Sequence, residues 1–86
     1  MRNRKEIIEY LGLEMSEEHV GKEGVAENER YIKAAEKIER EFTREIANGT
    51  FGYGLHSDFV SRPSAIDDGE LEEVVNYNGV VLYRKL

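Results

Sequence analysis

His56 and Asp58 are separated only by Ser57, and on a strand that spacing turns both side chains to one face. A histidine and a carboxylate so placed can share a metal ion or orient a general base. A metal centre needs three or four protein ligands in suitable geometry, and His19 is the only other histidine. The chain has no cysteine, which excludes thiolate metal sites, disulfides and cysteine nucleophiles. A serine wedged between His56 and Asp58 in sequence does not have the geometry of a catalytic triad. Gly49, Gly52 and Gly54 form a glycine run that could cradle a phosphate, but it lacks the lysine-serine/threonine ending of a P-loop. Glycine as backbone relief beside Phe51 and Tyr53 accounts for it better. Asp67, Asp68, Gly69 and Glu70 resemble part of a calcium loop but lack its alternating spacing, so they read as a solvated acidic turn. The expectation is a protein that is not an enzyme and carries no metal or cofactor.

The remaining chemistry is charge. Twelve Lys and Arg face eighteen Asp and Glu in 86 residues, a net charge of −6. The charge is unevenly spread. Residues 14–30 net −4, with Glu17 and Glu18 among them, and residues 65–73 net −5. Residues 31–48 balance to zero, whereas the first and last 13 residues net +1 and +2. Nucleic-acid affinity comes largely from Lys and Arg neutralising phosphates, so direct nucleic-acid binding is disfavoured. A protein partner with a basic surface is the better match.

Elements must position these groups. The length fits a single small domain over residues 1–86. No apolar run approaches the roughly 18 residues a membrane helix requires. The charged start reads against a secretory signal, so a cytoplasmic protein is expected. Asn3 followed by Glu6 is a variant capping box for a short first helix. Ile7 and Leu11 form its apolar face, and Gly12 stops it. Residues 14–27, broken by Gly21 and Gly24, read as a connector with one helical turn after Ser16.

The second helix is expected from about residue 27 to 48. Tyr31, Ala35, Ile38, Phe42 and Ile46 recur at helical spacing and make one stripe. Opposite charges at i,i+4 decorate its other faces: Glu29 with Lys33, Glu36 with Arg40, and Lys37 with Glu41.

Asn78-Gly79 is the preferred two-residue β-hairpin turn. Counting outwards places Tyr77 opposite Val80, Val75 opposite Leu82 and Val74 opposite Tyr83. It then places Glu73 opposite Arg84, Glu72 opposite Lys85 and Leu71 opposite Leu86. Val75, Tyr77, Val80 and Leu82, with Leu71 and Leu86, form the expected core face. The second face, with Val74, Tyr83 and Val81, is apolar enough to call for cover by another element or a partner. Phe51, Tyr53 and Leu55 alternate with small or polar residues, which fits a third strand. The fold class expected is α+β: a short helix, a long amphipathic helix, then a two- to three-stranded antiparallel sheet ending in the hairpin.

Residues 4–13 resemble the first helix and glycine turn of a helix-turn-helix motif, with the hairpin as a wing. A recognition helix should follow Gly12 and be basic, whereas Glu14, Glu17, Glu18 and Glu23 dominate there. A winged-helix-like nucleic-acid binder is therefore the weaker alternative. A homodimer or assembly subunit, built through the hairpin face or an edge strand, is another. The favoured expectation is a small acidic regulator or inhibitor that docks on a larger protein, such as a nucleic-acid-binding protein whose groove accepts a mimic of DNA phosphates. Its candidate contact residues are Asp67, Asp68, Glu70, Glu72, Glu73, Glu17, Glu18 and Tyr83.

Overall fold

The computed structural model describes residues 1–60, 66 and 68–86. Among the described residues, four helices, α1 (Arg4–Leu11), α2 (Glu17–Glu41), α3 (Thr43–Ala47) and α4 (Ser57–Val60), accompany three strands, β1 (Phe51–Leu55), β2 (Leu71–Tyr77) and β3 (Val80–Lys85). The strands form one antiparallel sheet in the order β1-β3-β2. The chain has the α+β architecture and the C-terminal hairpin expected from its pattern. No described helix is long and apolar enough to cross a membrane.

The short first helix forms for the reasons its sequence carries. The Asn3 side chain accepts from the Glu6 backbone N–H at 2.9 Å, and the Glu6 carboxylate accepts from the Asn3 N–H at 3.2 Å. Both otherwise orphaned donors at the helix start are thereby satisfied. Gly12 takes φ +68 and Leu13 N–H donates back to Ile8, which ends the helix. Ile7 and Leu11 are buried.

The second helix differs from expectation at both ends. It begins with a single turn after Ser16, kinks at Gly21 (φ 73, ψ 172), and is then continuous to Glu41. Residues 22–26 are helical, not connector. Gly24 supplies close approach: a Cβ there would lie 2.7 Å from the Val20 Cβ. The first turn folds down onto the long helix through that contact, which periodicity cannot reveal. At the other end, Phe42 leaves helical geometry at φ −124, ψ 34, and the short α3 follows. The Thr43 hydroxyl donates to the carbonyl of Glu39, 2.5 Å away, where it competes with the helix ladder at the break. The expected stripe therefore spans two helices. Ala35 and Ile38 are buried, whereas Tyr31, Phe42 and Ile46 pack at the margin of the core. Ile32, Ala34 and Glu39 are buried as well, because α2 is covered by α1 and by the sheet.

The hairpin register holds from the turn as far as Val75–Leu82 and then shifts. Val74 is a bulge, so Glu73 opposes Tyr83, Glu72 opposes Arg84 and Leu71 opposes Lys85. Counting by charge alone missed it, because either register leaves a glutamate across from Arg84. The extra residue leaves Val74 42% exposed.

The expected core face is also corrected. The central strand β3 buries Val80, Val81 and Leu82 together, whereas Leu86 is exposed. A strand flanked on both edges and covered on both faces reads as an apolar run, not an alternation. Tyr53, Val80 and Leu82 face the helices within the core cluster. On the other face, β1 offers Gly52 and Gly54 opposite Tyr83 and Val81. A Cβ on Gly52 would fall 2.6–2.8 Å from the Tyr83 ring and hydroxyl, and one on Gly54 would touch Phe59 of α4 at 3.4 Å. The glycine run is thus a bed for two aromatic rings, which meet edge to face at 5.8 Å.

Candidate functional site

The acidic start of β2 is held on a defined backbone. Gly69, at φ +79, closes a turn by donating its N–H to Ile66 at 3.1 Å. Leu86 N–H donates to the Glu70 carbonyl at 3.1 Å, so sheet pairing reaches one residue beyond β2. Asp68, Glu70, Glu72 and Glu73 are all exposed on this edge. Glu72 is paired with Arg84 at 2.5 Å. Among the described residues, no cation comes within 4 Å of Asp68, Glu70 or Glu73. The expected Glu73–Arg84 and Glu72–Lys85 pairs are replaced by Glu72–Arg84 alone, because the Val74 bulge moves Glu73 across from Tyr83. Asp67 lies outside the described residues.

The other candidates do not join this end. Glu17 and Glu18 are exposed in the first turn of α2. Phe51, across β3 from the Glu72 row, meets Phe42 at 5.7 Å just past the other end of α2. Glu17 and Glu18 therefore stand at the start of α2 and the Glu72 row beyond its other end. Tyr83 sits across from Glu73, but its ring crosses Gly52 towards β1 and is half-buried there. Burial, with the Tyr10 hydroxyl nearby, pushes the Tyr83 hydroxyl up to about 12. His56 follows β1 and Asp58 lies in α4, so the shared strand face proposed for them does not exist.

A buried polar cluster escaped the sequence reading. Glu39 is 1% exposed on α2. Its carboxylate accepts from the Tyr53 hydroxyl at 2.8 Å, from the Arg2 guanidinium at 2.9 Å and from the Arg2 backbone N–H at 3.3 Å. The Arg2 guanidinium in turn stacks 4.0 Å from the Tyr10 ring centre, and Tyr10 packs edge to face on Tyr53 at 4.9 Å. Burial, reinforced by the bond to Glu39, holds the Tyr53 hydroxyl well above the ordinary phenol range. A shallow cleft of about 290 Å³ opens beside the cluster, lined by Met1, Glu6 and Thr43 among others. Every described buried side-chain polar atom has a partner, so the cluster is a satisfied strut joining the N-terminus, α2 and β1. The available signal was Glu39 one position from Ile38, inside the apolar arc of the helix.

The ion pairs expected along α2 also rearrange. Glu29 pairs across helices with Arg4, and Glu41 accepts from the Tyr77 hydroxyl at 3.0 Å. Lys37 lies 4.4 Å from the centre of the Tyr77 ring. Compared with known proteins, the chain matches no family model, and neither a curated protein nor a solved structure is similar to it.

Proposed function

We propose that this is a non-enzymatic binding protein that docks the acidic end of β2 on a basic protein surface, as a small regulator or inhibitor does. The observation that carries the proposal is the set Asp68, Glu70 and Glu73: exposed, on hydrogen-bonded backbone, and without a cation within 4 Å among the described residues. Fixed charges steer a basic partner and set register with little ordering cost on this side. The reach of one strand end suits a groove that otherwise holds nucleic-acid phosphates. The ordinary competing role of such charges is to keep an edge strand from pairing with other chains, and the Val74 bulge serves that role as well. Edge protection needs no partner, so binding separates the two.

The test is affinity capture from the host lysate with the wild type and with Asp68→Lys/Glu70→Lys/Glu73→Lys, at low and high salt. The proposal expects a basic protein retained by the wild type at low salt, released by high salt, and not retained by the variant. Retention that is equal for both proteins and indifferent to salt contradicts it.

A further inference from the structure

One flank of this acidic protein has the opposite sign. Lys33, Lys37 and Arg40 follow each other at i, i+4 and i+7 on α2, and all three are exposed. Among the described residues, no carboxylate lies within 4 Å of any of their charged groups. Glu41, one turn beyond Lys37, is engaged by the Tyr77 hydroxyl, and the Lys37 ammonium lies 4.4 Å from the centre of that ring. The three cations line a groove of about 450 Å³ between α2 and the end of β2, whose other wall is Asn76, Tyr77 and Asn78.

The strand wall is prepared for an extended chain. β2 is an edge strand. Tyr77–Val80 directly flanks the two-residue turn, and antiparallel alternation makes it and Val75–Leu82 the pairs that exchange main-chain hydrogen bonds. The N–H and C=O of Asn76, between them, are therefore turned away from β3 towards open solvent. The Asn76 side-chain oxygen accepts from Gly79 N–H at 3.0 Å, which ties this end of the strand to its turn. Along the helix the cations rise by about 6 Å and then about 4.5 Å. Same-side residues of an extended peptide recur every ~6.8 Å, a mismatch that long Lys and Arg stems absorb.

We propose that the α2–β2 groove binds an acidic segment of a protein partner in extended conformation, its backbone meeting Asn76 and its alternate carboxylates meeting Lys33, Lys37 and Arg40. The occupant follows from charge complementarity and from the outward main-chain pair, which a simple anion has no use for. The Val74 bulge limits the strand contact to the Asn76 end. The inference is independent of the acidic-end reading, since the two surfaces have opposite sign and different residues.

The test uses the full chain and fluorescence anisotropy at low salt. The probes are a labelled peptide of alternating Glu and Val, an equally charged peptide interrupted by prolines, and a single-stranded oligonucleotide. The expected result is preferential binding of the alternating peptide, weakened about tenfold or more by Lys33→Glu/Lys37→Glu/Arg40→Glu. Asp68→Lys/Glu70→Lys/Glu73→Lys should keep or strengthen that binding, which separates this groove from the acidic end. Lys33→Gln, which disturbs the fold least, should weaken binding in the same direction. Equal binding by the triple groove variant, equal binding of the proline peptide, or preference for the oligonucleotide overturns the proposal.

Discussion

Replacing Glu39 with alanine removes three hydrogen bonds at once, to the Tyr53 hydroxyl and to the side chain and backbone of Arg2. Two of the three involve the Arg2 side chain or the 2% exposed Tyr53, so their loss is felt unequally. The Arg2 side chain is 33% exposed and can turn to water, which keeps its share small. The Tyr53 hydroxyl has no such outlet, and an unpaired buried donor costs about 1–3 kcal/mol. The one methylene removed from a buried site adds about 0.8 kcal/mol. The expected loss is thus about 2–4 kcal/mol, a large part of the stability of a chain this size. At about 4–8 °C per kcal/mol, the melting temperature should fall by at least ~8 °C. Glu39→Gln keeps the shape and one acceptor oxygen and should lose roughly half as much. The exposed, unpaired Glu73→Ala should stay within about 0.5 kcal/mol. Thermal unfolding followed by circular dichroism measures all three. A Glu39→Ala melting temperature equal to that of Glu73→Ala would refute the reading of Glu39 as a strut.

Three further outcomes follow from the same contacts. Gly52→Ala puts a Cβ into the Tyr83 ring and should cost about 1–3 kcal/mol, and Tyr83→Ala should relieve most of that added cost in a double-mutant cycle by urea unfolding. Gly79→Val combines a φ of +94 with a Cβ 2.9 Å from the Tyr31 ring, so it should lower the melting temperature more than any exposed Glu change; equality with Glu18→Ala counts against the hairpin contact. Tyr53 and Tyr83 are held protonated by the fold. Their contribution is fully present below the unfolded phenol value of 10.0 and is lost as pH rises through their raised folded values, about 12 for Tyr83. A tyrosinate absorbance titration should therefore show phenols that ionise above the ordinary range, together with loss of structure; a single transition at the ordinary phenol value contradicts it.

What sequence made legible was whatever depends on local chemistry. The Asn3 capping box, the Gly12 stop and the Asn78-Gly79 turn each need only a few neighbouring residues. The strand at Phe51–Leu55 came from the same short-range pattern, but the rings its glycines bed, Tyr83 and Phe59, did not. What stayed hidden depends on approach between distant segments. Gly24 looked like a helix breaker until Val20 was seen folded against it. The bulge at Val74 left no trace in a charge pattern compatible with two registers. Glu39 went unread as a buried group because its partners, Arg2 and Tyr53, are 37 and 14 positions away. At the candidate site, the row from Asp68 to Glu73 was visible as composition. Its separation from Glu17 and Glu18 was not, since that follows from where the sheet packs along α2.

The central claim is that Asp68, Glu70 and Glu73 exist to be bound. The most direct measurement is the salt dependence of affinity for the captured basic partner, taken with the wild type and with the triple charge-reversal variant. Wild-type affinity should fall steadily as salt rises, and the variant should show no specific binding at any salt concentration. An affinity that is flat in salt and unchanged by reversing all three carboxylates would contradict it.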